Sequence, residues 1–217
     1  MKFALVTSQI TYVPENSFPF FDKILENDAE TFVGIIMVQN LSFDIVKTTL
    51  WLYFIGCYRL AITLTRNIFV APLKKREYLF TKRNIPIIKV TTINDPEAIM
   101  WIKTNNIDVV INFRSRGIVK LDALSAPRLG WVNLHHGILP IYRGLFCDLF
   151  ALAENRQAGF SIHKMEEGID NGDIYLTKVV SIPGEKNYCK YLSRLALPEA
   201  NAVLQVVADI KNKNNLP

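Results

Sequence analysis

Two short apolar runs, Lys2-Phe-Ala-Leu-Val-Thr-Ser8 and Thr31-Phe-Val-Gly-Ile-Ile-Met-Val38, decide the fold class. Each is nearly continuous in hydrophobicity rather than alternating, the pattern of strands buried on both faces. Between them Phe18–Leu25 has the apolar spacing of a short helix. A strand, helix, strand order with strands of this kind predicts an α/β domain whose open, mostly parallel sheet carries helices on both faces.

Working outward, the rhythm continues. Leu50–Leu73 reads as one or two apolar helices closed by Pro72 and the basic run Lys74, Lys75, Arg76. Asn84–Val90 is a further strand. Asp95-Pro96-Glu97 then opens a helix in the expected order of N-cap, first-position proline and first-turn acid, with Ala98, Ile99 and Ile102 turned inward. Ile107–Phe113 is the most strand-like run of all. Gly117–Ser125 reads as a short helix and Leu129–His135 as the next strand. Leu145–Glu154 is helical, and Gly159–Met165 and Asp173–Ile182 form two strands of a hairpin around Glu166–Gly172. A short helical tail follows, expected as two helices, Asn187–Leu195 and, after Pro198, Glu199–Ile210.

The first strand is not followed by Gly-x-Gly-x-x-Gly, and no Gly-Lys-Ser/Thr phosphate loop occurs. The expected fold is therefore Rossmann-like without a bound dinucleotide or ATP. Composition agrees with one ordinary globular domain: half the 217 residues are hydrophobic and 21% are charged. The net charge of +5 suits anionic small molecules and is too weak to indicate nucleic acid. Cys57, Cys147 and Cys189 lack metal-ligand spacing and read as reduced packing residues of a cytoplasmic protein. No secretory signal is visible after Met1. In Leu50–Leu73 the longest charge-free run, Thr48–Tyr58, is too short for the roughly 20 apolar residues of a membrane span. A helix lying on an anionic membrane surface stays open as a lesser alternative there.

Chemistry concentrates in Trp131-Val-Asn-Leu-His-His-Gly-Ile-Leu-Pro-Ile-Tyr-Arg-Gly144, which holds two of the three histidines, His135 and His136; the third is His163. Asn133 and His135 are two apart on a strand and therefore share a face. Open parallel sheets bind ligands beyond the carboxyl ends of their strands, where the Phe113–Ile118 and Asn133–Gly144 loops would lie. A histidine that accepts a proton, a carboxylate that supports it and an asparagine amide that donates to an oxyanion suit attack by an amine on a carbonyl. Asp170 is the candidate carboxylate. Each signal also has a bland reading: a strand-end turn for Asn133-Leu-His135, a hairpin turn for Asp170-Asn171-Gly172, and a half-buried pairing residue for His163.

In order and spacing these elements resemble the folate-dependent formyltransferases, the family of glycinamide ribonucleotide transformylase, methionyl-tRNA formyltransferase and the sugar-nucleotide N-formyltransferases. The matching segments are Asn133-Leu-His135, Gly137-Ile-Leu-Pro-Ile-Tyr-Arg-Gly144, Gly159-Phe-Ser-Ile-His163 and Ile169-Asp-Asn-Gly172. The resemblance covers about Ile107–Ile182 and is looser before it. It implies 10-formyltetrahydrofolate as donor and co-substrate, a primary amine as acceptor, and a catalytic set of Asn133, His135 and Asp170. It places the folate against Phe113, Gly117, Ile118, Leu139, Glu167 and Ile169, and the acceptor near Tyr142 and Arg143. Gly137 stands where the family usually has serine, and His136 lies outside the implied catalytic set.

On the same resemblance, residues 1–185 form the catalytic domain and residues 186–217 a helical extension of it. The 35 residues from 183 to 217 are too few for the tRNA-holding barrel of methionyl-tRNA formyltransferases. Arg143 and the Asp-Asn-Gly-Asp run at 170–173 depart from the glycinamide ribonucleotide enzymes. The expected acceptor is therefore a nucleotide-linked amino sugar, with Lys75 and Arg76, beside Lys74, Lys82 and Arg83, as candidates for steering its diphosphate. Formyl transfer to another amine of the methionyl-tRNA or glycinamide ribonucleotide type, hydrolysis of the formylated folate, and a non-catalytic folate-binding protein remain the alternatives, and pairing of two subunits through the C-terminal region stays open beside any of them.

Overall fold

The side chains of the first strand, β1 (Phe3–Ser8), are all buried, and they divide between two cores. Phe3 and Leu5 join one apolar cluster while Ala4 and Val6 join another, because successive strand residues point to opposite faces. Both faces are thus covered, as the continuous hydrophobic run predicts. The computed structural model describes residues 1–10, 14–39, 43–70, 75–115 and 117–216.

In chain order β1 is followed by α1 (Pro14–Asp28), β2 (Phe32–Val38), α2 (Phe43–Phe54), α3 (Tyr58–Val70), α4 (Lys75–Thr81), β3 (Ile87–Val90) and α5 (Pro96–Thr104). Then come β4 (Val109–Phe113), α6 (Leu121–Leu124), β5 (Gly130–His135), α7 (Cys147–Ala153), β6 (Gly159–Lys164), β7 (Ile174–Val179) and α8 (Tyr188–Lys213). The described strands form one seven-stranded sheet in the order β3-β2-β1-β4-β5-β6-β7. The first five are mutually parallel, and β6 and β7 add an antiparallel hairpin at one edge. This is the Rossmann-like sheet with hairpin that the sequence predicts. Its strand order reverses between β1 and β4, the kind of crevice in which such sheets hold ligands.

Three helices differ from expectation, one of them α4, which stands where only the basic run was read. The short helix at Phe18–Leu25 is the centre of the 15-residue α1, whose Phe20, Phe21, Ile24 and Leu25 are buried. The tail is a single 26-residue helix that continues through Pro198. A proline removes one helical N–H and crowds the carbonyl four residues back, so a break is the natural reading. Packing overrides it here: Leu195 and Ala196 before the proline, and Ala200 and Val203 after it, are all buried in the same core cluster. Asn187 caps the start, its side chain accepting from the Lys190 N–H at 3.1 Å.

Asp95 sits at the N-cap of α5 as expected, but its carboxylate turns back to the Thr91 and Thr92 N–H groups at 2.8 and 3.0 Å. Residues 50–70 form parts of two helices, α2 and α3, packed around Ile45, Leu52, Ala61 and Leu64. Among the described residues no helix is long and apolar enough to cross a membrane.

Candidate active site

The site grows from strand register. β4 and β5 run side by side with Asn112 opposite Asn133, and antiparallel β6 sets His163 opposite Asn133 on its other flank. Asn112 Nδ2 donates to Asn133 Oδ1 at 2.9 Å, which turns the Asn133 NH₂ the other way. That NH₂ donates to Asp170 Oδ1 at 3.3 Å and lies 3.0 Å from His163 Nε2. His163 Nδ1 donates to the Lys164 carbonyl at 2.6 Å, which fixes the ring with Nε2 toward Asn133 and Asp170.

Asp170 closes the group from the loop after β6. Its Oδ2 accepts from the Gly144 N–H at 2.8 Å and lies 3.4 Å from His135 Nδ1, while Oδ1 lies 3.4 Å from His163 Nε2. Burial pushes the Asp170 carboxyl up, but His163, His135 and the Gly144 N–H together outweigh burial and hold it below the usual carboxylate range. Burial is the largest influence on His135 and lowers its pKa, only partly offset by Asp170, so the ring is neutral near neutral pH. A neutral imidazole, an ionised carboxylate and an oriented amide side by side are the groups that acyl transfer to an amine uses.

Sequence reasoning thus finds Asn133, His135 and Asp170, and the fold brings all three together. It leaves out Asn112 and gives His163 only the reading of a half-buried pairing residue. Asn112 carries a readable signal as the one polar residue of an otherwise apolar strand, and both are buried, Asn112 8% and His163 2% exposed.

The loop after β5 is drawn tightly onto the site. His135 Nε2 donates to the Tyr142 carbonyl at 2.9 Å. Leu139 is buried, and its N–H reaches Ser161 Oγ at 3.0 Å. Gly137 explains itself sterically: a Cβ there would lie 2.5 Å from His135 Nε2, 2.8 Å from Cys147 Cβ and 2.9 Å from the Tyr142 carbonyl oxygen. A serine does not fit this loop position, so glycine is what allows the loop to close on His135.

The remaining expected contacts divide. Ile118 and Ile169 are exposed, as are Gly117 and Glu167, and a Cβ on Gly117 would meet nothing within 4 Å. Arg143 is exposed and donates to Asn171 Oδ1 at 3.2 Å. Tyr142 points its hydroxyl away from His135, to Glu154 Oε2 at 3.2 Å, so its carbonyl is the part that touches the site. Phe113 corrects the expectation of a folate contact through its side chain: the ring is fully buried and stacked on Phe20 with centroids 3.8 Å apart, leaving only backbone for a ligand. Arg76 is also turned inward. Its guanidinium donates at 2.5 Å to the Ser8 and Gln9 carbonyls at the end of β1, and burial lowers its pKa to about 10. That use leaves it ill placed to steer a phosphate in solution. The side chain of Lys75 and all of Lys74 lie outside the described residues.

Comparison with known proteins fits the site. The family model described as Formyl transferase matches residues 69–207. The chain belongs to the formyl transferase family, whose members are enzymes that transfer formyl groups. A curated relative, methionyl-tRNA formyltransferase of Syntrophomonas wolfei, is 29% identical over 153 residues, covering 70% of this chain and 48% of the relative. The chain spans about half the length of that relative. Among solved structures, phosphoribosylglycinamide formyltransferase of Bacillus halodurans aligns with a TM-score of 0.65 at 18% identity, covering 93% of this chain and 90% of that one. A sugar N-formyltransferase from Shewanella sp. FDAARGOS_354 aligns with a TM-score of 0.59 at 18% identity over 100% of this chain and 74% of its own. These two likenesses establish the shared fold.

Proposed function

We propose that the protein transfers a formyl group from 10-formyltetrahydrofolate to the primary amine of a nucleotide-linked amino sugar, with Asn133, His135 and Asp170 as its catalytic residues. The observation that carries the reading is the convergence on Asp170, whose two oxygens meet His163, Asn133, His135 and the Gly144 N–H. The exposed Ile118 and Ile169, with open space over Gly117, offer apolar surface suited to a folate ring beside those polar groups.

The folate supplies an electrophilic formyl carbon: the amine nitrogen bonds to it, its bond to the folate nitrogen breaks, and one proton passes from amine to departing nitrogen. Every protein group has a defined share in this. Asn133, its carbonyl tied to Asn112, exchanges its long 3.3 Å contact with Asp170 for the oxygen on which negative charge develops. One such donor is worth about 10²–10³-fold in rate. His135, neutral in the resting protein, exchanges its bond to the Tyr142 carbonyl for the substrate; with its one hydrogen moved to Nδ1 beside Asp170, Nε2 takes the amine proton and hands it to the departing nitrogen. Asp170 stays ionised and stabilises the imidazolium while it lasts. His163 and the Gly144 N–H fix Asp170 in place.

The sugar-nucleotide acceptor rests on Arg143 beside the site, on the Asp170-Asn171-Gly172-Asp173 run, and on the sugar N-formyltransferases among the structural neighbours. The second reading is methionyl-tRNA as acceptor, favoured by the curated relatives. Incubation with 10-formyltetrahydrofolate and a panel of amino-sugar nucleotides, beside methionyl-tRNA, separates the two by mass spectrometry of the products. Formylation of the sugar amines is expected. Product from methionyl-tRNA alone would overturn the acceptor, and no product from any amine would overturn the reaction.

A further inference from the structure

His136 follows His135 in the chain but belongs to a second polar cluster. Four elements contribute to it: Arg114, just after β4; His136, just after β5; Asp148, in the first turn of α7; and Glu199, in α8. The Glu199 and Asp148 side chains are 0% and 1% exposed. His136 Nε2 lies 2.6 Å from Glu199 Oε1 and 2.7 Å from an Arg114 guanidinium nitrogen, and that nitrogen lies 3.3 Å from Glu199 Oε2. His136 Nδ1 faces Asp148 Oδ2 at 3.4 Å, and Tyr188 donates to Asp148 Oδ1 at 2.9 Å.

One ring nitrogen cannot satisfy both close neighbours. Arg114 only donates and an ionised Glu199 only accepts. With a proton on Nε2, His136 donates to Glu199 and repels the guanidinium. Without it, His136 accepts from Arg114 and turns a lone pair toward a carboxylate. Charge counting favours the proton: two buried carboxylates then face two cations, whereas a neutral ring leaves one negative charge uncompensated. Burial and Arg114 lower the pKa of His136, but Glu199 and Asp148 outweigh them and raise it. Among the described residues His135 from β5 also faces the ring electrostatically, and Cys147 from α7 and Tyr188 and Tyr191 from α8 face its carboxylate partners.

The cluster is wired to the catalytic amide. Arg114 is held in left-handed backbone, φ 59°, a conformation that L residues rarely adopt. The next residue, Ser115, donates from its N–H at 3.2 Å and its hydroxyl at 2.5 Å to Asn112 Oδ1. Asn112 in turn orients Asn133. We propose that His136 is a positioning residue for formyl transfer: its proton decides how Arg114 is held, and through Ser115 and Asn112 this sets the Asn133 amide. The inference rests on the formyl-transfer reading of Asn133 but not on the identity of the acceptor.

NMR on the intact, isotopically labelled chain tests this without any substrate, since there are only three histidine rings to assign. The expected result is a His136 midpoint above the ordinary 6.5, with the Asn133 side-chain amide signals moving at the same midpoint. In His136→Gln that movement disappears, and in Glu199→Gln the His136 midpoint drops. With an amine acceptor, kcat in the wild type falls as pH rises through the His136 midpoint, approaching tenfold per pH unit, the limit for one linked proton. His136→Gln flattens that limb. A His136 midpoint at or below 6.5, or Asn133 signals indifferent to it, overturns the proposal on the wild-type protein alone, whether or not the variant folds. An unchanged kcat profile in a folded His136→Gln protein overturns it too, while lack of turnover with every amine bears on the proposed reaction instead.

Discussion

His135 and His136 are adjacent imidazoles with opposite fates. His135 is kept neutral by burial, with one carboxylate 3.4 Å away and its other nitrogen on a backbone carbonyl. His136 is pushed toward the charged form by two buried carboxylates, with Glu199 Oε1 only 2.6 Å away. Burial alone disfavours charge in both rings, so the difference comes from how closely and how many carboxylates face each. A proton-transfer group needs a pKa near or below working pH, whereas a fixed cation needs one above it. The chain obtains both from neighbouring residues because the exit of β5 turns them toward different partners.

The comparison breaks most severely at the His135 side. Asn133→Ala, His135→Ala and Asp170→Asn are each expected to lower kcat by about 10²–10⁴-fold while the protein stays folded, as read by steady-state formamide formation and circular dichroism. Retention of more than a tenth of wild-type kcat in Asp170→Asn would remove that carboxylate from the mechanism.

The next largest effect is expected at Gly137. A serine Cβ collides with His135, Cys147 and the Tyr142 carbonyl, so Gly137→Ser should cost about 1–3 kcal/mol in urea unfolding and detach His135 Nε2 from its carbonyl. Unchanged stability would show that the loop has room after all.

A smaller effect separates the two histidines by pH. His136 has a raised folded pKa, so its contribution to stability is complete below about 6.5 and is lost as pH rises through the folded value. The His135 pKa is lowered, so its contribution is present above about 6.5 and is lost as pH falls through the folded value. Urea midpoints measured from pH 5 to 9 should therefore gain with rising pH through His135 and lose through His136. Replacing His136 with glutamine should remove only the alkaline loss.

Tyr142→Phe should do least. The phenol bonds a half-exposed glutamate while the carbonyl serves His135, so stability should change by about 1 kcal/mol or less and kcat hardly at all.

Much of this architecture is legible in the residue pattern. The apolar runs at 3–8, 32–38 and 109–113 are strands because they have nothing to offer but a buried sheet. The two-residue spacing of Asn133 and His135 places both against one carboxylate, as strand periodicity requires. The proline at 198 misleads because a local rule meets a helix whose two halves share one buried face. Phe113 misleads because position in a loop-bordering strand says where a backbone is, not which core its ring fills. His163 reads as a pairing residue, and it is one, but its partner across the strands is the proposed catalytic Asn133.

The order of amino acids is thus enough to specify the α/β sheet, the succession of its strands, and the residue types able to perform acyl transfer. Local periodicity and side-chain chemistry are properties of neighbouring residues, and they are written there. Folding in three dimensions was needed to bring Asp170 back 37 positions to Asn133, to lay Glu199 against an arginine 85 positions away, and to press Gly137 against His135. Each of those depends on strand register and on how elements remote in sequence pack. That packing sets the distances, and the distances set which of two adjacent histidines is pushed toward the charged form.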